Sequence, residues 1–388
     1  MAPVLVAVIA ATLVTDAGVV LARSGDDGPH TPPAHAAPPP PDVVPDKLQP
    51  VLPELEAFVE QARGLRFERP PKVSLVGDDE FEKLLDGDGS DTGGQQDAQT
   101  ALGVLRALGL VEGNVDIQSV GRKQDSQTVG FYDDQTTELY VRGVDATPYA
   151  EDTLVHELTH ALDDQHFGLA RPELDKPDQG DAQTAFQALV EGDAVTVETA
   201  WYDSRSKEDR DAIDAAETAA GGGADNGSEP DVFTKLLAFP YSVGPSFVAA
   251  VRESGGQARL DATFERPPTT TEQILYPKRF LAGEGAVAVP APPADGKVVD
   301  EGSLGELGLF LVADATVSHQ DAGRASTGWG GDAYRAWRDG DRTCIRVNIQ
   351  MDTPTDTAQL LDALATWSAK HPGSTVSGRD PIVITNCG

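Results

Sequence analysis

The stretch DATPYAEDTLVHELTHALDDQHF, Asp145 to Phe167, decides how the rest of the chain is read. It holds three of the seven histidines of the protein. Thr147 can cap a helix and Pro148 suits the first helical position. Glu151 and Asp152 then lie near the positive end of the helix dipole. The pattern predicts a helix that starts here, carries all three histidines and ends by Pro172 at the latest. Inside it, HELTH (His156 to His160) is an HExxH motif. Residues four apart lie one turn above each other on one helix face. His156 and His160 can therefore aim ring nitrogens at a single ion, and zinc accepts two imidazoles while leaving a position open. Glu157 stands on the flank of that face, where it reaches a water beside the ion and can accept its proton. Leu154, Leu158, Ala161 and Gln165, with Val155 and Leu162 beside them, make a mostly apolar stripe for core packing. The histidines are expected on the neighbouring face, at a groove.

Three residues can complete the ligand set. His166 lies ten positions after His156, the offset of HExxHxxGxxH. The glycine that lets the chain turn in that pattern is replaced here by Asp163, which adopts a left-handed conformation less readily. The methionine turn that goes with the pattern has no counterpart either, since the only methionines are Met1 and Met351. Asp164 stays on the helix face, but its short reach would displace the ion. Glu191, in ALVEGDA on the next predicted helix, can close a His2Glu site from a crossing helix. Gly192 beside it, with the small Ala188 and Ala194, permits close helix approach. Glu191 is the preferred ligand, with His166 and Asp164 behind it. His166 and the Asp163–Asp164 pair then become candidates to orient a ligand imidazole.

Upstream of the motif, TVGFYDDQTTELYVRG reads as a β-hairpin and KVSLVG as a short strand. LQPVLPELEAFVEQARGL, DDEFEKLLDG and AQTALGVLRALGLV read as helices. Downstream, DAQTAFQALVEGDAVTVETAWYDS is a long helix and SKEDRDAIDAAETAAGGG a polar one. DVFTKLLAFPYSVGPSFVAAVRESGG reads as helical on both sides of a break at Pro240 to Gly244. From Lys297 the runs GLFLVAD and TCIRVNIQM look like strands, with one helix, DTAQLLDALATWSAK, between the two cysteines.

The protein has 388 residues, 39% of them hydrophobic, enough for a substantial core. Thirty basic residues against 63 acidic ones leave a formal charge of −33. That charge repels a phosphate backbone and an anionic membrane surface, so no nucleic-acid partner is expected. Residues 1–28 are apolar almost to Ala22 and read as an export signal or a single N-terminal membrane anchor. Residues 29–46 are a proline-rich, extended linker. In an exported chain Cys344 and Cys387 are expected to be bonded to each other.

HELTH followed by a helical glutamate resembles the gluzincins, the thermolysin-like zinc peptidases. The strings HELTHALDDQHF, ALVEGDA, FPYSVG and TTEQILYP are similar to those of a group of exported, mostly actinobacterial metallopeptidases, and this likeness runs from about Leu48 to the C-terminus. The resemblance implies that His156, His160 and Glu191 bind Zn2+ and that Glu157 is the base. It implies an α+β fold: a mainly helical zincin-like domain, 47–296, with a small sheet or edge hairpin, and a small C-terminal α+β subdomain, 297–388. The hairpin would serve as the edge strand to which a peptide or protein substrate adds. Tyr241 and Tyr276, each in an expected break between helices, are the candidates to stabilise an oxyanion. The expected activity is peptide-bond hydrolysis by an exported zinc metallopeptidase. The alternative is a non-enzymatic exported zincin-fold domain that binds a protein or cell-envelope partner.

Overall fold

The computed structural model describes residues 47–86, 92–113, 115, 128–134, 136–143, 145–174, 176–221 and 230–388. The expected signal or anchor segment, 1–28, and the linker, 29–46, lie outside the described residues. Among the described residues no helix is long and apolar enough to cross a membrane.

The fold is mixed α and β, with two separate sheets. Helix α1 (Leu52–Arg63) leads to strand β1 (Lys72–Val76), helix α2 (Asp78–Asp86) and helix α3 (Thr92–Ala107). Strands β2 (Gly130–Asp133) and β3 (Glu138–Arg142) follow. They form the expected hairpin, and β1 adds to β3 in parallel, giving the order β1-β3-β2 with β2 at an edge. Helix α4 (Pro148–Phe167) then carries the histidine motif, with the Thr147 side chain accepting from the Ala150 amide as its cap. Long helix α5 (Gly180–Ser204) and the more exposed α6 (Lys207–Gly221) come next.

Helix α7 (Asp231–Glu265) runs straight through the expected break. Pro240 and Pro245 sit inside it, and the non-helical backbone lies instead at Gly255 and Gly256. Tertiary packing overrides the local prolines here: Phe239, Phe247, Val248 and Val251 are all buried on this helix. Short helices α8 (Thr271–Leu275) and α9 (Pro277–Ala282) lead to the C-terminal part. There β4 (Val298–Gly302), β5 (Trp329–Asp339), β6 (Arg342–Met351), β7 (Thr375–Gly378) and β8 (Ile382–Cys387) form an antiparallel sheet in the order β4-β5-β6-β8-β7.

GLFLVAD is not a strand but most of helix α10 (Gly305–Asp314). A short apolar run is ambiguous between the two, and the surroundings decide it. Asp332 accepts the amides of Leu304 and Gly305 and so satisfies free donors at the start of α10. The C-terminal part also carries α11 (His319–Ser326) as well as the expected helix α12 (Pro354–Lys370). Cys344 and Cys387 face each other across β6 and β8 and are bonded.

Two apolar cores organise these elements. One gathers Leu55 and Val59 of α1, Val73, Leu139 and Val141 of the small sheet, Leu154, Val155 and Leu158 of α4, and Val197 and Trp201 of α5. Each of those buried aliphatic chains is worth roughly 1.5–3 kcal/mol. The other joins Leu105 of α3, Phe186 and Leu189 of α5, Val251 of α7, Leu309 of α10, Ile345 of β6 and Trp367 of α12. This second core crosses the division expected at 297. The indole of Trp367 donates to the Leu108 carbonyl and the amide of Asn386 to that of Ala107, so α3 is bound to the C-terminal sheet. Helix α5 belongs to both cores. Residues up to Val190 face the second and Val197 and Trp201 face the first, and Glu191 lies at the changeover.

Candidate metal centre

His156, His160 and Glu191 come together, each buried, with one ligand atom of each within 4.8 Å of the others. His156 Nε2 lies 3.2 Å from Glu191 Oε2, and His160 Nε2 lies 3.5 Å from the same oxygen. Four ligands at 2.0–2.1 Å around a tetrahedral ion stand roughly 3.3 Å apart, so this spacing suits zinc. The donor chemistry suits it as well. Among the described residues neither ring nitrogen of His160 has a hydrogen-bond partner, and neither does Glu191 Oε1, although both side chains are sealed from solvent. Buried polar atoms without partners are costly, and a cation among them would satisfy all three residues at once.

The second convergence of ligand-type residues, Asp339, Cys344 and Cys387, has no such capacity, because its two sulfurs are bonded to each other.

His156 is fixed from behind. Its Nδ1 faces Glu198 Oε2 at 2.9 Å, the arrangement that keeps Nε2 turned toward the shared centre. Burial disfavours the imidazolium, but the bonds to Glu191 and Glu198 outweigh it and hold His156 well above its ordinary range. Burial likewise opposes ionisation of Glu191. The charge of His160 and the bond to the ring of His156 overcome it, and Glu191 titrates below the usual carboxylate range. Asp152 hydrogen-bonds Glu198, and burial followed by that neighbour pushes its carboxyl up to about 8.

Glu198, and not His166 or the Asp163–Asp164 pair, is the side chain that meets the outer nitrogen of His156. His166 Nε2 bonds the Arg66 carbonyl at 2.7 Å and is turned away from the other histidines. Asp164 accepts from the Tyr132 hydroxyl and from the Leu169 amide, both at 2.8 Å. Asp163 binds Arg63. A sequence signal for Glu198 exists: it follows Glu191 by seven residues, two turns along one helix face. Asp152 likewise precedes His156 by four.

Glu157 is buried beside the histidines, and the edge strand lies over it. A Cβ added at Gly130 of β2 would stand 3.5 Å from Glu157 Cγ and 3.0 Å from Thr153 Cγ2, so the strand rests directly on this turn of α4. Tyr241 projects from α7 with its ring stacked over that of His156, centroids 6.3 Å apart. The helices are close because Gly192 and Gly244 meet. A Cβ at Gly192 would stand 2.3 Å from the Gly244 carbonyl carbon, and one at Gly244 would stand 2.2 Å from the Ala188 carbonyl oxygen. The small residues around Glu191 therefore admit α7, rather than α4 as expected. Tyr276 is elsewhere: its hydroxyl bonds Thr327 Oγ1 at 2.9 Å. It follows α8, whose Thr271 bonds Asp181, ten residues and about 15 Å of helix rise before Glu191.

A family profile described as "Domain of unknown function (DUF8575)" matches residues 293–386. That span contains α10 to α12 and all of the five-stranded sheet but its last residue, Cys387, and none of the residues of the histidine–glutamate cluster. No curated protein and no solved structure matches the chain.

Proposed function

We propose that the protein is a zinc-dependent hydrolase acting on peptide bonds, with a zincin-like arrangement around α4 and α5. The observation that supports this reading most is the buried convergence of His156, His160 and Glu191 with Glu157 next to the first histidine. His156, His160 and Glu191 would hold the ion, and Glu198 orients His156. A bound zinc ion would supply Lewis acidity and make water acidic enough to act as a nucleophile near neutral pH. Glu157 accepts the proton of that water and returns it to the departing amine nitrogen. An extended substrate would pair with the edge of β2 that no described strand occupies, with a peptide carbonyl over Glu157 and the histidines. Tyr241 is the residue nearest in kind to an oxyanion donor, since its ring already lies over His156. Export, as expected from residues 1–28, belongs to the same reading.

The test is zinc content together with hydrolysis of a generic unfolded protein such as casein. One equivalent of zinc and cleavage that stops on Glu157→Gln supports the reading. Stoichiometric zinc with no cleavage of any peptide or protein would favour a binding module, and no zinc at all would defeat it.

A further inference from the structure

Arg63, the last residue of α1, is completely buried, and three aspartates from three other helices surround it. Its Nη2 and Nε both donate to Asp163 Oδ1 of α4, at 2.7 and 3.0 Å, and its Nε also lies 2.6 Å from Asp193 Oδ2 of α5 as a close ion pair outside hydrogen-bond geometry. Its Nη1 lies 3.4 Å from Asp261 Oδ1 of α7. The rings of Phe167 and Phe264, stacked 4.9 Å apart, close over the guanidinium at 6.0 and 5.7 Å. The C-terminal end of α1 adds favourable dipole potential for a cation.

The aspartates stand at telling places. Asp163 follows His160 by three residues, and Asp193 follows Glu191 by two. Asp261 lies on the segment of α7 beyond the Gly255–Gly256 kink, and Tyr241 on the segment before it. His156 has Glu198 to hold its ring, but among the described residues neither nitrogen of His160 has a hydrogen-bond partner. The place of His160 is therefore set by where the backbone of α4 lies against α5. Apolar packing tolerates sliding of one helix on another, whereas a guanidinium forked onto Asp163 and held in a close ion pair with Asp193 ties α4 to α5 at one place along each helix. A buried ion network is a weak source of stability compared with apolar packing, and the best-attested use of such groups is to fix register.

On these grounds we propose that Arg63 is a positioning residue: it clamps α4 to α5 in the register that brings His160 and Glu191 to one ion. The inference rests on the metal reading above and adds a residue that touches neither ion nor substrate.

The test is metal binding by the full chain carrying Arg63→Lys, which keeps the charge and loses the fork. A second variant, Arg63→Met with Asp163→Asn and Asp193→Asn, removes the buried charges together and keeps the volume, should the first not fold. Zinc affinity is read by competition with a chromophoric chelator, and geometry by the visible absorption of the Co2+-loaded protein. Folding is checked by circular dichroism. The expected result in a folded variant is zinc binding at least about tenfold weaker, with a changed Co2+ spectrum. Wild-type affinity and an unchanged spectrum in either folded variant would overturn the clamp and leave the metal reading intact. A wild-type chain that binds neither ion overturns the metal reading, and the clamp with it.

Discussion

Glu198 and Glu191 stand on one helix and meet the two nitrogens of a single imidazole, that of His156, at 2.9 and 3.2 Å. One carboxylate faces the shared centre and the other faces away from it. Replacing Glu198 by Ala is therefore expected to leave all three ligands in place but free the ring of His156. Zinc affinity should fall about 10–100-fold, as for other partners of metal-bound histidines. Chelator competition on the purified variant measures it, and an unchanged affinity would remove Glu198 from the centre.

Glu191 is expected to behave differently from Glu157. Glu191→Gln removes an anionic donor and should abolish stoichiometric zinc binding. Glu157→Gln should retain one zinc per chain and lose activity by at least about 100-fold, the range for removal of a general base. Elemental analysis of both variants beside a peptidase assay separates the roles. Loss of zinc in both would mean that Glu157 is a ligand.

The crossing of α5 and α7 leaves no room for a methyl group. Gly244→Ala is expected to destabilise by about 1–3 kcal/mol or more, because the backbone of Ala188 and Gly192 must move. Gly323→Ala on α11 is the control: nothing lies within 4 Å of the added carbon, and the change should be neutral or slightly stabilising. Thermal unfolding of the two variants compares them directly.

A buried acidic seam runs between α5 and the C-terminal part. Burial is the largest cause in each case. It pushes Asp181 and Glu272 up to about 7, Glu306 to about 8 and Asp332 to about 6, from ordinary values of 3.8 and 4.5. Their neighbours include Arg279, Asp352 and Glu284. An acid with a raised folded value binds protons more tightly when folded. Its contribution is greatest below the unfolded value and declines as pH rises toward the folded one. Thermal stability should therefore fall between about pH 5 and 8. Glu306→Gln should flatten that slope by raising stability at pH 8 while changing little at pH 5. A midpoint that rises over this interval in the wild type would contradict the assignment.

The Cys344–Cys387 bond closes a long loop, with a separation of 43 residues. Replacing both by Ala is expected to cost about 3–4 kcal/mol on the chain-entropy account. Denaturant unfolding with and without reductant gives the value, and the histidine centre should keep its zinc, since neither cysteine belongs to it.

Much of this was legible along the chain. The capped helix over Pro148–Phe167, the hairpin and the helix carrying Glu191 follow from caps, turn residues and periodicity, which act within a few residues, and the disulfide partners follow from there being two cysteines in the chain. GLFLVAD was not legible, because an apolar run of that length suits a buried helix or a buried strand until its neighbours are known. The break at Pro240 was also misread: proline disfavours a helix interior locally, but the buried face of α7 outweighs it.

The sequence by itself determined the histidine pair and its spacing on α4, because i and i+4 fall on one face of any α-helix. Tertiary structure alone decided what completes and supports that pair. Glu191 reaches His156 and His160, Glu198 replaces His166 behind His156, Tyr241 lies over the ring, and Tyr276 is drawn off to Thr327. Each of these depends on how separate helices cross, and the crossing is set by contacts between residues far apart in the chain: Gly192 with Gly244, and Arg63 with Asp163 and Asp193.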